Sequence, residues 1–153
     1  MGCDIHAFAE RRDEEGKWVL VKCDIFDFRS YGVFAFLAGI RNYSAIAPIA
    51  PPRGFPTTAC AEVAGSFESW GCDAHTPSWL TMKELIEFDY SAMMEDRRYT
   101  KQTSANSWTG AATCEPGQGI TQTWCEFLGD WFIEELQALA ARGTERVVFW
   151  FDN

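Results

Sequence analysis

The sequence predicts an α+β protein: a small, mainly antiparallel sheet that includes both ends of the chain, packed against a long C-terminal helix and shorter helices. Three observations predict it. Residues 3–10 and 17–23 read as two strands joined by the polar segment Arg11-Arg12-Asp13-Glu14-Glu15-Gly16, as in a hairpin. Thr123-Trp124-Cys125-Glu126 has the form of a capping box, and behind it Phe127, Leu128, Trp131, Phe132, Leu136 and Leu139 fall on one broad helical face. Arg146-Val147-Val148-Phe149-Trp150-Phe151 is an uninterrupted apolar run, the pattern of a central strand covered on both faces.

The remaining elements follow in order. Trp18-Val19-Leu20-Val21 has strong β preference. Residues 30–41 read as a short apolar helix with Ser30 as N-cap, weakened by Gly32 and Gly39. Residues 42–56 hold four of the six prolines and read as a long irregular loop, the kind that often carries function. Thr81-Met82-Lys83-Glu84 is a second capping box, opening a helix through about Phe88. Residues 96–120 are polar, rich in Ser, Thr and Gly and without period, and read as a second loop or flap. One helix is expected from 124 to the stop at Gly143. The C-terminal strand is expected beside the N-terminal one, with the long helix across one face. No linker divides the chain and the halves do not align, so 1–153 is expected to be a single domain and not a repeat protein.

A chain of 153 residues, 47% hydrophobic and 23% charged, has the size and composition of one globular domain. Its seven Trp, twelve Phe and four Tyr fill cores first and can stack flat ligands second. A net charge of −9 argues against duplex nucleic acid and against an anionic membrane surface. It is compatible with a small anionic ligand held by a few local cations, or with a basic protein partner. No apolar run reaches membrane-spanning length, and the N-terminus lacks the pattern of a signal peptide. Six cysteines with no C-x-x-C spacing are expected to be free thiols in a reducing cytoplasm.

The chemistry-bearing feature is a pentapeptide that occurs twice, Gly2-Cys3-Asp4-Ile5-His6 and Gly71-Cys72-Asp73-Ala74-His75. It contains the only two histidines in the chain. Cys23-Asp24 repeats part of it without His, so Cys-Asp alone is incidental. In a strand Asp4 and His6 share one face while Cys3, Ile5 and Ala7 take the helix-covered other. Asp152 shares a face with Trp150 and is expected to approach Asp4 or His6. If the second pentapeptide folds onto the same place, two Asp–His pairs converge.

Two chemistries fit such a meeting. His6 and His75 could serve as general base and general acid on a phosphodiester, with Asp4 and Asp73 fixing the rings. Alternatively Asp4, His6, Asp73 and His75 could hold a divalent metal that activates water, although the spacing matches no standard zinc signature. Arg53 and Arg41 are candidate phosphate clamps, and Tyr43, Phe55 and Trp79 candidate platforms for a base.

The opening MGCDIH, the stretch Arg53-Gly54-Phe55-Pro56, the segment Trp70 to His75 followed by Ser78-Trp79-Leu80, and the ending Val148 to Asn153 resemble a family of small bacteriophage proteins. The resemblance implies an accessory protein acting in the bacterial cytoplasm, and by analogy a counter-defence role against nucleotide immune signals. It carries no catalytic assignment. The leading expectation is cleavage of a small cyclic or dinucleotide signal by two-histidine chemistry. The alternatives are a non-catalytic sponge for such a signal, expected to be a homo-oligomer, and an acidic inhibitor that binds a host defence enzyme.

Overall fold

A computed structural model describes residues 2–104 and 107–153, with side chains described outside 100–111. The chain folds into two compact units, each discontinuous in sequence. The first holds the residues up to Arg29, Pro51–Phe88 and Asp130–Asn153. The second holds Ser30–Ala50 and Asp89–Gly129.

The first unit is built on a four-stranded antiparallel sheet of β1 (Asp4–Arg12), β2 (Trp18–Val21), β3 (His75–Thr81) and β8 (Arg146–Asp152), in the order β2-β1-β8-β3. The two terminal strands are neighbours at its centre, as the sequence predicts, in the register Asp4↔Asp152, His6↔Trp150 and Glu10↔Arg146. Directly opposed residues share a face of the sheet. One face therefore presents His6, Phe8, Glu10, Val148 and Trp150, and the other Ile5, Ala7, Ala9, Val147, Phe149 and Phe151. From Arg146 to Phe151 the strand β8 is buried throughout, because both faces are covered.

On the His6 face lies α2 (Ala61–Trp70), whose Val63 and Phe67 pack with Val148 and Trp150 in one cluster that also takes Phe8, Phe55, Trp70 and Trp79. The sequence reading gave no helix here. The N-cap, Cys60, makes no side-chain cap bond, so the usual start signal is missing. Strand β3 was missed as well, since Pro77 within it argues against a central strand. It is an edge strand, and the register slips between His75 and Ser78 around the proline. The helix α3 (Met82–Glu87) opens with the expected reciprocal Thr81–Glu84 capping box.

The C-terminal helix is a correction. A single helix from 124 was expected, but α4 (Trp124–Leu128) and α5 (Asp130–Ala141) are separate. Gly129 breaks them apart at φ 90°, ψ 150°, a conformation open essentially to glycine alone. In the first unit α5 buries Phe132, Leu136 and Leu139, and Phe132 stacks on Phe26 at 5.6 Å.

The second unit contains α1 (Tyr31–Ala38), α4 and two antiparallel ribbons. Ser30 caps α1 as predicted, accepting from the Val33 amide at 3.4 Å, and a left-handed Gly39 ends it short of the expected 41. One ribbon pairs β4 (Met93–Asp96) with β7 (Ile120–Thr123). The other pairs β5 (Arg98–Ser104) with β6 (Ser107–Thr113). This corrects the expected loop over 96–120. Thr, Tyr and Trp in that stretch favour extended backbone even where no apolar alternation shows. Positions 105–106 of that expectation lie outside the described residues.

Candidate functional site

The first pentapeptide lies at the start of β1, and its two polar side chains are held by different partners. His6 Nε2 lies 2.9 Å from Asp152 Oδ2, and the Asp4 amide donates to Asp152 Oδ1 at 3.2 Å. One terminal carboxylate thus fastens the imidazole and the backbone of the neighbouring strand. The ring lies against two indoles, with Trp70 at 4.0 Å and Trp150 at 6.0 Å between centroids. Asp4 turns instead to Arg29, whose Nε and Nη2 donate to its two oxygens at 2.8 and 2.5 Å. That guanidinium holds the Asp4 carboxyl below the usual range. The guanidinium lies close against Gly2, where a Cβ would make it shift.

The second pentapeptide folds differently. Gly71–Asp73 form a 3₁₀ turn and Asp73 is exposed, its recorded partner being the Cys72 thiol at 4.0 Å. His75 opens β3 opposite Phe151. Because Trp150 and Phe151 are consecutive in a strand, His6 and His75 stand on opposite faces of the sheet. The His75 ring stacks on Phe151 at 6.1 Å, with Nδ1 at 3.1 Å from Thr76 Oγ1 and Nε2 buried without a partner among the described residues. Thr76 sits at φ 49°, a conformation that β-branched residues avoid, and this kink with the register slip fixes which way His75 faces.

The expected convergence of the two pentapeptides is therefore overturned, and with it the set Asp4, His6, Asp73, His75 as one catalytic or metal-binding group. Among the described residues no three His, Cys, Asp or Glu side chains are gathered to hold a metal ion. What the structure does bring together is His6, Asp152 and Asp4, with Arg29, which the sequence reading did not single out. Of these, Asp4, His6 and Arg29 border a cleft of about 290 Å³ with Asp27 and Phe28. Two carboxylates, Asp4 and Asp27, against one guanidinium make it a poor place for a phosphate dianion.

The predicted clamps and platforms serve the fold. Arg53 binds Glu84 through Nη1 at 3.0 Å and through Nη2, donates to the Trp79 carbonyl at 3.2 Å, and lies over the Trp79 ring at 4.7 Å. It fastens the proline-rich loop to β3 and α3, and Glu84 is pulled down to about 2 chiefly by this hydrogen bond. Phe55 stacks flat on Phe67 at 4.3 Å inside the cluster beneath the sheet. Arg41 and Tyr43 belong to the second unit, where both approach Tyr31: Arg41 lies 6.0 Å over its ring and Tyr43 6.3 Å from it.

Cations gather elsewhere in the first unit. Arg12, Trp18, Lys83, Thr144 and Glu145 border a cleft of about 490 Å³. The sequence reading missed it, since its members come from four separate segments with no motif among them. The one available signal was the pair Arg11-Arg12 in an acidic chain. Comparison with protein-family models, with curated proteins and with solved structures finds no match for the chain.

Proposed function

We propose that the protein is a phage accessory factor that sequesters a small nucleotide immune signal without cleaving it. The observation that carries this choice is the placement of the only two imidazoles on opposite faces of the sheet. Acid–base cleavage of a phosphodiester by two histidines needs both rings at one phosphate. With that pair removed, binding alone needs no proton carrier, and the cation-bordered cleft is of a size that small ligands use. The nucleotide and the counter-defence role rest on the sequence resemblance.

The test is incubation of the protein with cyclic dinucleotides, dialysis, heat denaturation and chromatography. Retained ligand released intact is the expected result. A hydrolysed product would overturn sequestration. It would favour a second reading, which the His6–Asp152 couple supports: a single imidazole, oriented by its carboxylate, acting as general base through Nδ1. His6→Asn would then abolish cleavage while leaving binding in place.

A further inference from the structure

We infer that the cleft bordered by Arg12, Trp18, Lys83 and Thr144 binds the phosphate of a nucleotide, an assignment that rests on the sequestration reading and gives it a site. Three independent features meet there.

The first is charge. Among the described residues Lys83 joins no ion pair, although it stands in the first turn of α3 at the cleft wall. Arg12 faces the same space, donating through Nε and Nη2 to Glu145 at 3.0 and 2.6 Å. That pair is exposed, at 57% and 35% of its side-chain surfaces, so a ligand oxygen can share the guanidinium at small cost. In a chain of net charge −9, a wall with two cations and one carboxylate is a local reversal of sign.

The second is an unsatisfied donor. Thr144 is 6% exposed, lines the cleft, and its Oγ1 is buried without a partner among the described residues. A buried polar group without a partner is costly and rare, and a phosphate oxygen seated against Thr144 is the acceptor its hydroxyl lacks.

The third is an apolar wall. The Trp18 indole lies against Arg146 at 3.8 Å and Arg12 at 5.4 Å, and Met82 lines the same cleft. These cation contacts hold the indole in place, so the cleft has a fixed apolar wall beside its cations, which suits the base and sugar of a nucleotide. A volume of about 490 Å³ accommodates one nucleotide unit.

The test is titration calorimetry of the full chain with ADP, cyclic diadenylate and inorganic phosphate, repeated with Lys83→Glu, Thr144→Val and His6→Asn. Lys83→Glu reverses an exposed charge and Thr144→Val preserves shape, so both are expected to fold, which thermal melts check. The expected result is binding of a nucleotide probe that weakens at least tenfold in Lys83→Glu, several-fold in Thr144→Val, and not at all in His6→Asn. Nucleotide bound equally by wild type, Lys83→Glu and Thr144→Val overturns this site and leaves sequestration standing. Loss in His6→Asn alone moves the site to the other cleft, with the same consequence. Wild-type protein that binds none of the three probes overturns the site and the sequestration reading together.

Discussion

At position 10 a carboxylate lies where solvent does not reach. Glu10 accepts from Arg146 Nε at 2.6 Å and from the Cys60 amide at 2.7 Å, while Arg146 Nη1 donates to Thr58 at 2.9 Å. Removing one member of such a pair strands the other, and that costs more than the pair itself contributes. Arg146→Met should therefore destabilise the protein by about 3–5 kcal/mol. The double variant Glu10→Leu/Arg146→Met should recover much of that loss, and urea unfolding of both variants checks it. At position 84 the sign runs with pH. Arg53 depresses the folded-state Glu84 carboxyl to about 2, so its contribution is full above the ordinary value of 4.5 and disappears as pH falls toward 2. For an ion pair this exposed the contribution is roughly 1 kcal/mol at most. Arg53→Met should flatten the stability profile between those two pH values relative to wild type, as read by denaturation at stepped pH. The couple of His6 with Asp152 could be read from strand alternation and neighbouring termini alone. The orientation of His75 could not, because it depends on the positive φ of Thr76 and on how far the register slips, and Pro77 marks an irregularity without giving its direction.

Among the elements, what the sequence announces is what short-range chemistry decides. Thr81 accepts from the Glu84 amide at 3.1 Å and Thr123 from the Glu126 amide at 3.1 Å, so both helix starts could be placed from four residues each. Thr81→Ala should cost about 1 kcal/mol by thermal melt, since it removes a cap from a helix of six residues. Helix α2 has no such mark, and its place is set by burial of Val63 and Phe67 against the sheet, a tertiary cause. The gap between α4 and α5 shows the limit of periodicity. The apolar stripe continues straight through Gly129, and only its backbone conformation, φ 90° and ψ 150°, interrupts the helix. Gly129→Ala should cost about 1–3 kcal/mol, because alanine reaches that conformation only under strain. Circular dichroism on the variant discriminates further, since added helical signal would mean the two segments had fused instead.

For the whole molecule, charge and thiols are distributed unevenly. A cleft of about 630 Å³ between residues 23–28 and α5 is bordered by Asp24, Asp27, Glu134 and Glu135, in contrast to the cation-bordered cleft. All six cysteines are free, but Cys72 is exposed whereas Cys3 and Cys60 are buried. Burial also pushes the Cys60 thiol up to about 11, so it is a poor nucleophile near neutrality. A thiol reagent should modify Cys72 within the first phase, and Cys3 and Cys60 only at the rate of unfolding. Mass spectrometry of partially labelled protein gives that order directly. Free thiols were legible from the absence of a C-x-x-C spacing, but which of them reach the surface was settled by the sheet.

The neighbouring placement of β1 and β8 has a consequence for biosynthesis. His6 and Asp152 are 146 positions apart, yet they lie on adjacent central strands. At ribosomal speeds of about 5–20 residues per second, the first strand emerges roughly 7–30 s before its long-range partner. During that interval the nascent chain carries an apolar strand with one side uncovered. Holdase chaperones that shield such edges should therefore matter more to the yield of this protein than its modest length suggests.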